Sequence, residues 1–358
     1  MKICIVGCAG LPASYGGFET LAENLVLYCE RHELAIDLSV FCSGRLSAGV
    51  VREFHGAQLM YVPLPANGVA SIAYDAWSLL CAIRNRADVV LVLGVSGAVT
   101  LPLVRLLTRI RVVTNIDGIE WRRAKWGKLA RNFLRASEWL AVRCSHVVVA
   151  DNHAVADHVA KQYGAPCTVI AYGGEHSVEV VGRPFPLVLP DIYALALCRI
   201  EPENNVEMIL EAFSRNAALA LVFVGNWNAS KFGREMRGRY QRHAHLVLAD
   251  PEYDLGALKT LRQGATVYVH GHSAGGTNPS LVEMMHFGVP VIAFDCAFNR
   301  NTTQDQATYF NSVEALLAAL NALPALLASD SGAHMRNLAR KLYTWTQVGA
   351  QYFRVLAL

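Results

Sequence analysis

The 358 residues are 53% hydrophobic and 17% charged, which excludes a disordered chain and leaves room for two domains with separate cores. A formal net charge of +3 excludes a molecule that binds polyanions over its whole surface, so any basic partner surface must be local. The nine cysteines are scattered, odd in number and never spaced C-x-x-C, which argues against a disulfide framework or a zinc site and for reduced core thiols in a cytosolic protein.

The chain opens on KICIVG, whose apolar run is too short for a signal peptide and breaks into a glycine loop; it reads as a first strand. In GLPASYGGFETLAENL the loop holds Pro12 and the pair Gly16-Gly17. Apolar residues at Phe18, Leu21, Ala22, Leu25 and Val26 then predict a helix from Phe18 to Arg31. AIDLSVFC and AQLMYVPL follow as strands, then a helix over Ile72 to Arg84, the strand DVVLVLG, a helix over Thr100 to Leu107, the strand RVVTNID, a long helix over Lys125 to Arg143 and the strand HVVVAD. Val- and Ile-rich strands separated by helices predict a parallel sheet covered on both faces. The longest apolar run, Val89 to Val104, contains Gly94, Gly97 and Pro102 and falls short of the roughly 20 residues that a membrane span needs.

After a further helix and the strand CTVIAY comes GGEHSVEVVGRPFPLVLP, rich in Gly and Pro and without periodicity, the natural linker. A second alternation follows: YALALCRI, a helix over Val206 to Phe213, ALVFVG, a helix over Arg234 to Gln241, HLVLAD, a helix over Asp254 to Gln263, ATVYVHG, a helix over Ser280 to Phe287, PVIAF and a helix over Ser312 to Ala322. TWTQVGAQYFRVLAL closes the chain as an amphipathic helix. The expectation is an α/β protein with two Rossmann-like domains facing each other across a cleft, over 1–176 and 191–340, with a linker at 177–190 and a helix at 341–358 folding back on the first domain. Ligands of such sheets bind at the carboxyl ends of the strands.

Neither G-x-G-x-x-G nor G-x-x-x-x-G-K-[ST] occurs, which weighs against a dehydrogenase or a P-loop enzyme. The Gly16-Gly17 loop could admit an anion to a helix N-terminus or be a simple strand-to-helix turn. Gly275-Gly276-Thr277-Asn278-Pro279-Ser280 precedes a helix expected to begin near Leu281, capped by Asn278 or Ser280, and offers free N–H groups to a pyrophosphate. Glu283, placed in the first turn by that reading, either complements the helix dipole or accepts hydrogen bonds from a ribose diol.

CRIEPENN (Cys198 to Asn205) and GGTNPSLVEMMHFGVPVIAFD (Gly275 to Asp295) resemble the two donor-site signatures of the retaining family 4 glycosyltransferases of GT-B fold. GLPASYGGFETLAENL and NIDGIEWRRAKWGKLARNFL (Asn115 to Leu134) are similar, more narrowly, to the bacterial rhamnosyltransferase-type branch of capsule and exopolysaccharide assembly. The resemblance implies an acceptor domain followed by a nucleotide-sugar donor domain. It implies that Arg199 neutralises the donor diphosphate, that the amides from Gly276 through Thr277 and Asn278 to Ser280 hold phosphate and sugar, that Glu283 binds the ribose, and that the Gly16-Gly17 loop closes over the same diphosphate. Two positions depart from the family pattern: Asn204 stands where an E-K-[GN] triplet has lysine, and Gly275 stands where the first glutamate of Glu-x7-Glu belongs.

Asp117 ends the strand RVVTNID and precedes Gly118; it is either an Asx-type turn residue or the group that positions or deprotonates an acceptor hydroxyl, with Glu120 as its rival. Next come Trp121, Arg122, Arg123, Lys125, Trp126 and Lys128. Such interleaved cations and aromatics describe a solvated helix over a core, or a surface for an anionic membrane and a lipid pyrophosphate headgroup. No nucleic-acid module accompanies them. His270 and His272 lack metal-ligand spacing and suggest hydrogen bonding near the donor. With no D-x-D in the chain, Arg199, amides and dipoles are expected to replace a metal, and no cofactor is expected.

The sequence thus suggests a retaining, metal-independent glycosyltransferase at the cytoplasmic face of the plasma membrane, moving a hexose, rhamnose from dTDP-rhamnose foremost, from a nucleotide-sugar donor to a lipid-linked glycan acceptor. Its rivals are a nucleotide-sugar epimerase of the same architecture and a non-catalytic sugar-nucleotide-binding scaffold.

Overall fold

The computed structural model describes residues 1–13, 16–44, 51–122 and 126–357. The chain divides into two units, Met1–Ala171 together with Trp345–Leu358, and Tyr172–Thr344.

The first unit runs β1 (Lys2–Val6), α1 (Gly17–Arg31), β2 (Asp37–Ser43), β3 (Glu53–Phe54), β4 (Ala57–Val62), α2 (Ala70–Arg84), β5 (Val89–Leu93), α3 (Leu101–Leu107), β6 (Arg111–Asn115), α4 (Lys128–Cys144), β7 (Val147–Ala150), α5 (His153–Tyr163) and β8 (Thr168–Val169). Among the described residues its strands form one sheet in the order β3-β4-β2-β1-β5-β6-β7-β8. Every pairing is parallel except β3 with β4, an antiparallel edge pair that the alternation did not predict. Central strands are buried on both faces, as all five residues of β5 are, which is why they read as unbroken apolar runs rather than alternating ones. In register, Ile3 lies between Leu38 and Val89.

Right-handed crossovers from β4 through β8 all step in one direction across the sheet, so α2, α3, α4 and α5 line one face. The β1-to-β2 step runs the other way and puts α1 on the opposite face.

The second unit contains α6 (His176–Glu179), β9 (Tyr193–Leu197), α7 (Val206–Arg215), β10 (Ala220–Val224), α8 (Lys231–Tyr240), β11 (Leu246–Ala249), α9 (Leu255–Gln263), β12 (Val267–His270), α10 (Pro279–Phe287), β13 (Val291–Phe294), α11 (Ala297–Thr303), β14 (Thr308–Phe310), α12 (Val313–Asn321), α13 (Leu323–Ala328) and α14 (Ser331–Leu342). Its described strands make a parallel sheet ordered β11-β10-β9-β12-β13-β14, cored by Ile209, Phe213, Phe223, Trp227 and Phe310 among others. The stretch read as the linker carries α6, and the second unit begins ahead of it at Tyr172. That end is tied by Gly174 N, which donates to Tyr343 O at 2.9 Å.

The final helix, α15 (Trp345–Ala357), packs on α1 in the first unit. Tyr28 stacks on Phe353 at 5.5 Å between ring centroids. At the end of β6, Asn115 donates from Nδ2 to the buried Tyr352 hydroxyl at 2.7 Å.

Candidate functional site

In the second sheet β9 and β12 are neighbours, and the chain winds away from them in opposite directions. A sheet that reverses its order in this way leaves a crevice at the strand carboxyl ends, between the loops that follow the two central strands. Those loops are Cys198–Asn205 and Gly271–Asn278, the two stretches that carried the donor signatures.

Side-chain amides and hydroxyls join them. Asn205 Nδ2 donates to Gly271 O at 2.8 Å, while within the first loop Asn204 Nδ2 donates to Arg199 O at 2.7 Å. Ser273 donates from both N (3.1 Å) and Oγ (2.7 Å) to Glu203 O. Gly271 lies so close to the Asn204 carbonyl that a Cβ there would collide with it. Asn204, where the family pattern has a cation, is buried and braces the loop that carries Arg199, whose side chain is exposed.

The second loop feeds α10. Asn278 is the N-cap: its Oδ1 accepts from Ser280 N at 3.0 Å and Ser280 Oγ at 2.7 Å, and Ser280 Oγ also lies 3.0 Å from the Tyr268 hydroxyl. Pro279 occupies the first helical position, where an N–H would have no intrahelical partner. The helix therefore starts two residues earlier than expected, and Glu283 falls fifth rather than in the first turn. That turn holds no acid, so nothing on α10 offsets the positive end of its dipole. Thr277 is buried and Gly276 partly so.

Glu283 sits in an ion pair with Arg262 of α9, and its other oxygen lies 3.4 Å from His176 Nε2 on α6. Burial pushes its carboxyl up, but Arg262 and His176 pull harder, and the net effect is to hold it below the usual glutamate range. Arg262 is itself buried, and its Nη1 has no hydrogen-bond partner among the described residues. His270 is fully buried and pushed down to about 3 by that burial, hence neutral at pH 7; its Nδ1 lies 3.3 Å from the Tyr268 hydroxyl and its ring stacks on His272 at 4.4 Å.

The first unit has its own reversal point between β1 and β5. Gly16 caps α1 at φ 118°, and a side chain there would strike the Glu19 carboxylate. That carboxylate is a loop tie: Glu19 Oε1 accepts from Ala9 N at 2.6 Å, and one turn on Glu23 Oε2 accepts from Ala13 N at 2.5 Å. Gly17 is the first residue of α1.

Asp117 does not end β6, which stops at Asn115; it follows in a left-handed conformation, φ 58°, with its N–H donating to Asn115 Oδ1 at 2.9 Å. Asn115 thus forms an Asx-type turn that closes on Asp117. A non-glycine residue held in this region costs of order 1–3 kcal/mol and points to a constrained site.

Trp121 donates from Nε1 to Glu138 at 3.1 Å, and Trp126 Nε1 to Glu120 at 3.1 Å. Arg122 and Arg135 lie over the Trp121 ring at 5.2 and 5.6 Å. Lys128 opens α4 and is exposed, whereas Arg123 and Lys125 lie outside the described residues. Glu138, which reads in the sequence as one acid in a basic helix, is buried and gathers Trp121, His158 (2.8 Å) and Tyr163 (2.7 Å). Arg262, His176 and Glu138 were not singled out by sequence reasoning, because each meets its partners through the fold.

No curated relative is detectable by sequence comparison. Residues 1–175 match a family described only as a domain of unknown function, DUF1972. Residues 184–341 match the family described as Glycosyl transferases group 1. Solved structures share the fold over nearly the whole chain at low identity. Sucrose-phosphate synthase from Thermosynechococcus elongatus has a TM-score of 0.81 at 13% identity, covering 99% of this chain and 98% of its own. A glycosyltransferase from Rickettsia africae has 0.71 at 12%, covering 99% and 97%. HepE of Anabaena, solved with UDP and glucose, has 0.71 at 13%, covering 100% and 99%. With two Rossmann-like parallel-sheet units and a group 1 domain over residues 184–341, the protein is a glycosyltransferase of the GT-B fold.

Proposed function

We propose that the protein transfers a hexose, rhamnose from dTDP-rhamnose foremost, with retention of configuration from a nucleotide-sugar to a lipid-linked glycan precursor of a bacterial surface polysaccharide, at the inner face of the plasma membrane. The observation that carries the donor half of this reading is the joined pair of loops at the β9–β12 crevice. It sets an exposed arginine on one loop, and on the other a helix N-terminus with no acid in its first turn, within a group 1 glycosyl transferase domain. HepE, with a similar fold, was solved with UDP and glucose.

In this reading Arg199 and the amides around Gly276, Thr277, Asn278 and Ser280 stabilise the diphosphate as it leaves, which is where negative charge develops. Glu283, kept ionised by Arg262 and His176, accepts the ribose hydroxyls. In the first unit Asp117 positions the acceptor hydroxyl, and the strip from Trp121 to Lys128 meets the acceptor or its membrane. The protein's contribution is positioning and electrostatics.

The test is a thermal-shift screen of nucleotide-sugars, followed by transfer of the best stabilising sugar to lipid-linked acceptors. Stabilisation by a dTDP-hexose and acceptor-dependent release of dTDP are expected. Binding without turnover would support the scaffold reading instead.

A further inference from the structure

Exposed large apolar side chains gather on one face of the first unit. Trp77 and Leu80 on α2, Leu103 and Leu106 on α3, and Leu129 and Trp139 on α4 all point to solvent, Leu106 at 80% and Leu129 at 88% of full exposure. Crossover handedness puts these three helices side by side on one side of the sheet. Leucines this exposed in one stretch of surface mark an interaction site rather than the scatter usual in a soluble protein.

The charges decide the occupant. Exposed ionisable groups on α2, α3 and α4 are Arg84, Arg105, Lys128, Arg131, Arg135 and Arg143, and the acids of these helices, Asp75 and Glu138, are buried. The exposed charge of these three helices is all positive, on a chain of net charge +3, which is not a solubilising mixture; on α5 beside them Asp157 and Lys161 are both exposed. Between α4 and α5 runs a groove of about 570 Å³ lined by Asn132, Arg135, Trp139, Arg143, Gln162 and Tyr163. It offers two guanidinium groups, amides and an indole, a set suited to a phosphodiester with apolar chains beside it. Among the described residues no helix is long and apolar enough to cross a membrane, but leucines and tryptophans that project between arginines are the pattern of a helix lying in the interface. The tryptophans ahead of α4 differ: Trp121 and Trp126 are half-buried and bonded to carboxylates.

We propose that the outer face of α2, α3 and α4 docks on an anionic lipid bilayer, with Leu106, Leu129 and Trp139 entering the acyl boundary and the Arg135–Arg143 groove taking a lipid headgroup phosphate. This surface goes beyond the acceptor strip proposed above and is independent of the donor residues. Nucleoside-diphosphate binding, measured on the same variants, therefore separates a failure of one reading from a failure of the other.

The test is co-sedimentation of the full chain with vesicles of phosphatidylcholine alone and of phosphatidylcholine with phosphatidylglycerol. Wild type should pellet with the anionic vesicles only. Arg135→Ala/Arg143→Ala should bind about 30-fold more weakly, the worth of two cations near such a surface, and Leu106→Glu/Leu129→Glu more weakly still. Thermal melting of each variant reports folding, and quenching of tryptophan fluorescence by brominated lipid, reduced in Trp139→Phe, reports insertion without a folding-sensitive charge change. Absence of wild-type binding, equal binding to neutral vesicles, or full binding by both double variants overturns the proposal. So does loss confined to an Arg122→Ala/Trp126→Ala variant, which would assign docking to the strip ahead of α4. A wild-type dimer that Leu106→Glu/Leu129→Glu converts to monomer would assign the face to a second copy.

Discussion

The two units solve the same local problem, a glycine loop feeding a helix beside the central strand, with opposite electrostatics. In the first, Glu19 stands in the first turn of α1 and, with Glu23, ties the loop by accepting its backbone N–H groups. The helix end is thereby already supplied with negative charge. In the second, neutral groups do the tying: Asn278 caps α10, Asn204 braces its own loop, Asn205 and Ser273 join the neighbouring loops, and the one acid of α10, Glu283, is matched to Arg262. An anion that arrives at α10 meets an uncompensated dipole and an arginine, whereas one at α1 meets carboxylates. A glycine-rich loop alone therefore does not make an anion site; what holds the loop decides it.

The largest expected effect comes from breaking the match at Glu283. Arg262→Met leaves a buried carboxylate without its partner and should cost about 3–5 kcal/mol of stability, while Arg262→Met/Glu283→Leu should recover most of the loss because both charges are gone. Denaturant unfolding of the two variants checks this.

Arg199→Ala should lower kcat/KM for the donor by roughly 10- to 100-fold, the worth of a charge-assisted contact of about 1.5–3 kcal/mol, with no change in melting temperature since the side chain is exposed. Steady-state kinetics with a nucleotide-sugar give the number, and an unchanged kcat/KM would remove Arg199 from the diphosphate.

Glu19→Ala should do the converse. It removes the acceptor for Ala9 N and should destabilise the fold by about 1–3 kcal/mol while donor affinity stays the same or rises, as calorimetry on the variant would register.

A pH effect concerns the reversal point of the first unit. Asp75 is buried on α2 and accepts from Ser96 Oγ at 2.5 Å, yet burial outweighs that bond and pushes its carboxyl up to about 7. With the folded value above the unfolded one, the folded state keeps the proton longer. Its stabilising contribution is full below pH of about 4 and is lost as pH rises toward 7. Asp75→Asn should flatten that decline, visible as melting temperatures that no longer fall between those pH values.

Much of this was legible in the sequence. Runs such as DVVLVLG and ATVYVHG became central strands because a parallel strand buried on both faces must be apolar throughout, and the donor signatures fell on the two loops beside the reversal point of the second sheet. Boundaries failed where a local device took over. Pro279 and the Asn278 cap start α10 early and move Glu283 out of the first turn, and Asn115 ends β6 before Asp117. Short edge elements such as β3, β14 and α13 carry too few residues for a period to register. The partners of Glu283 and Glu138 were invisible for a different reason: Arg262 and His158 lie 21 and 20 positions away in the chain, and only the packing of helices brings them together.

Hydrogen–deuterium exchange with and without a nucleoside diphosphate tests the central claim most directly, since it reads backbone N–H groups in both loops at once. Protection confined to the segment from Gly275 to Glu283 and the loop around Arg199, with the segment from Gly16 to Glu23 unchanged, is the predicted result. Protection of the Gly16 segment with Gly275 to Glu283 unaffected would contradict it.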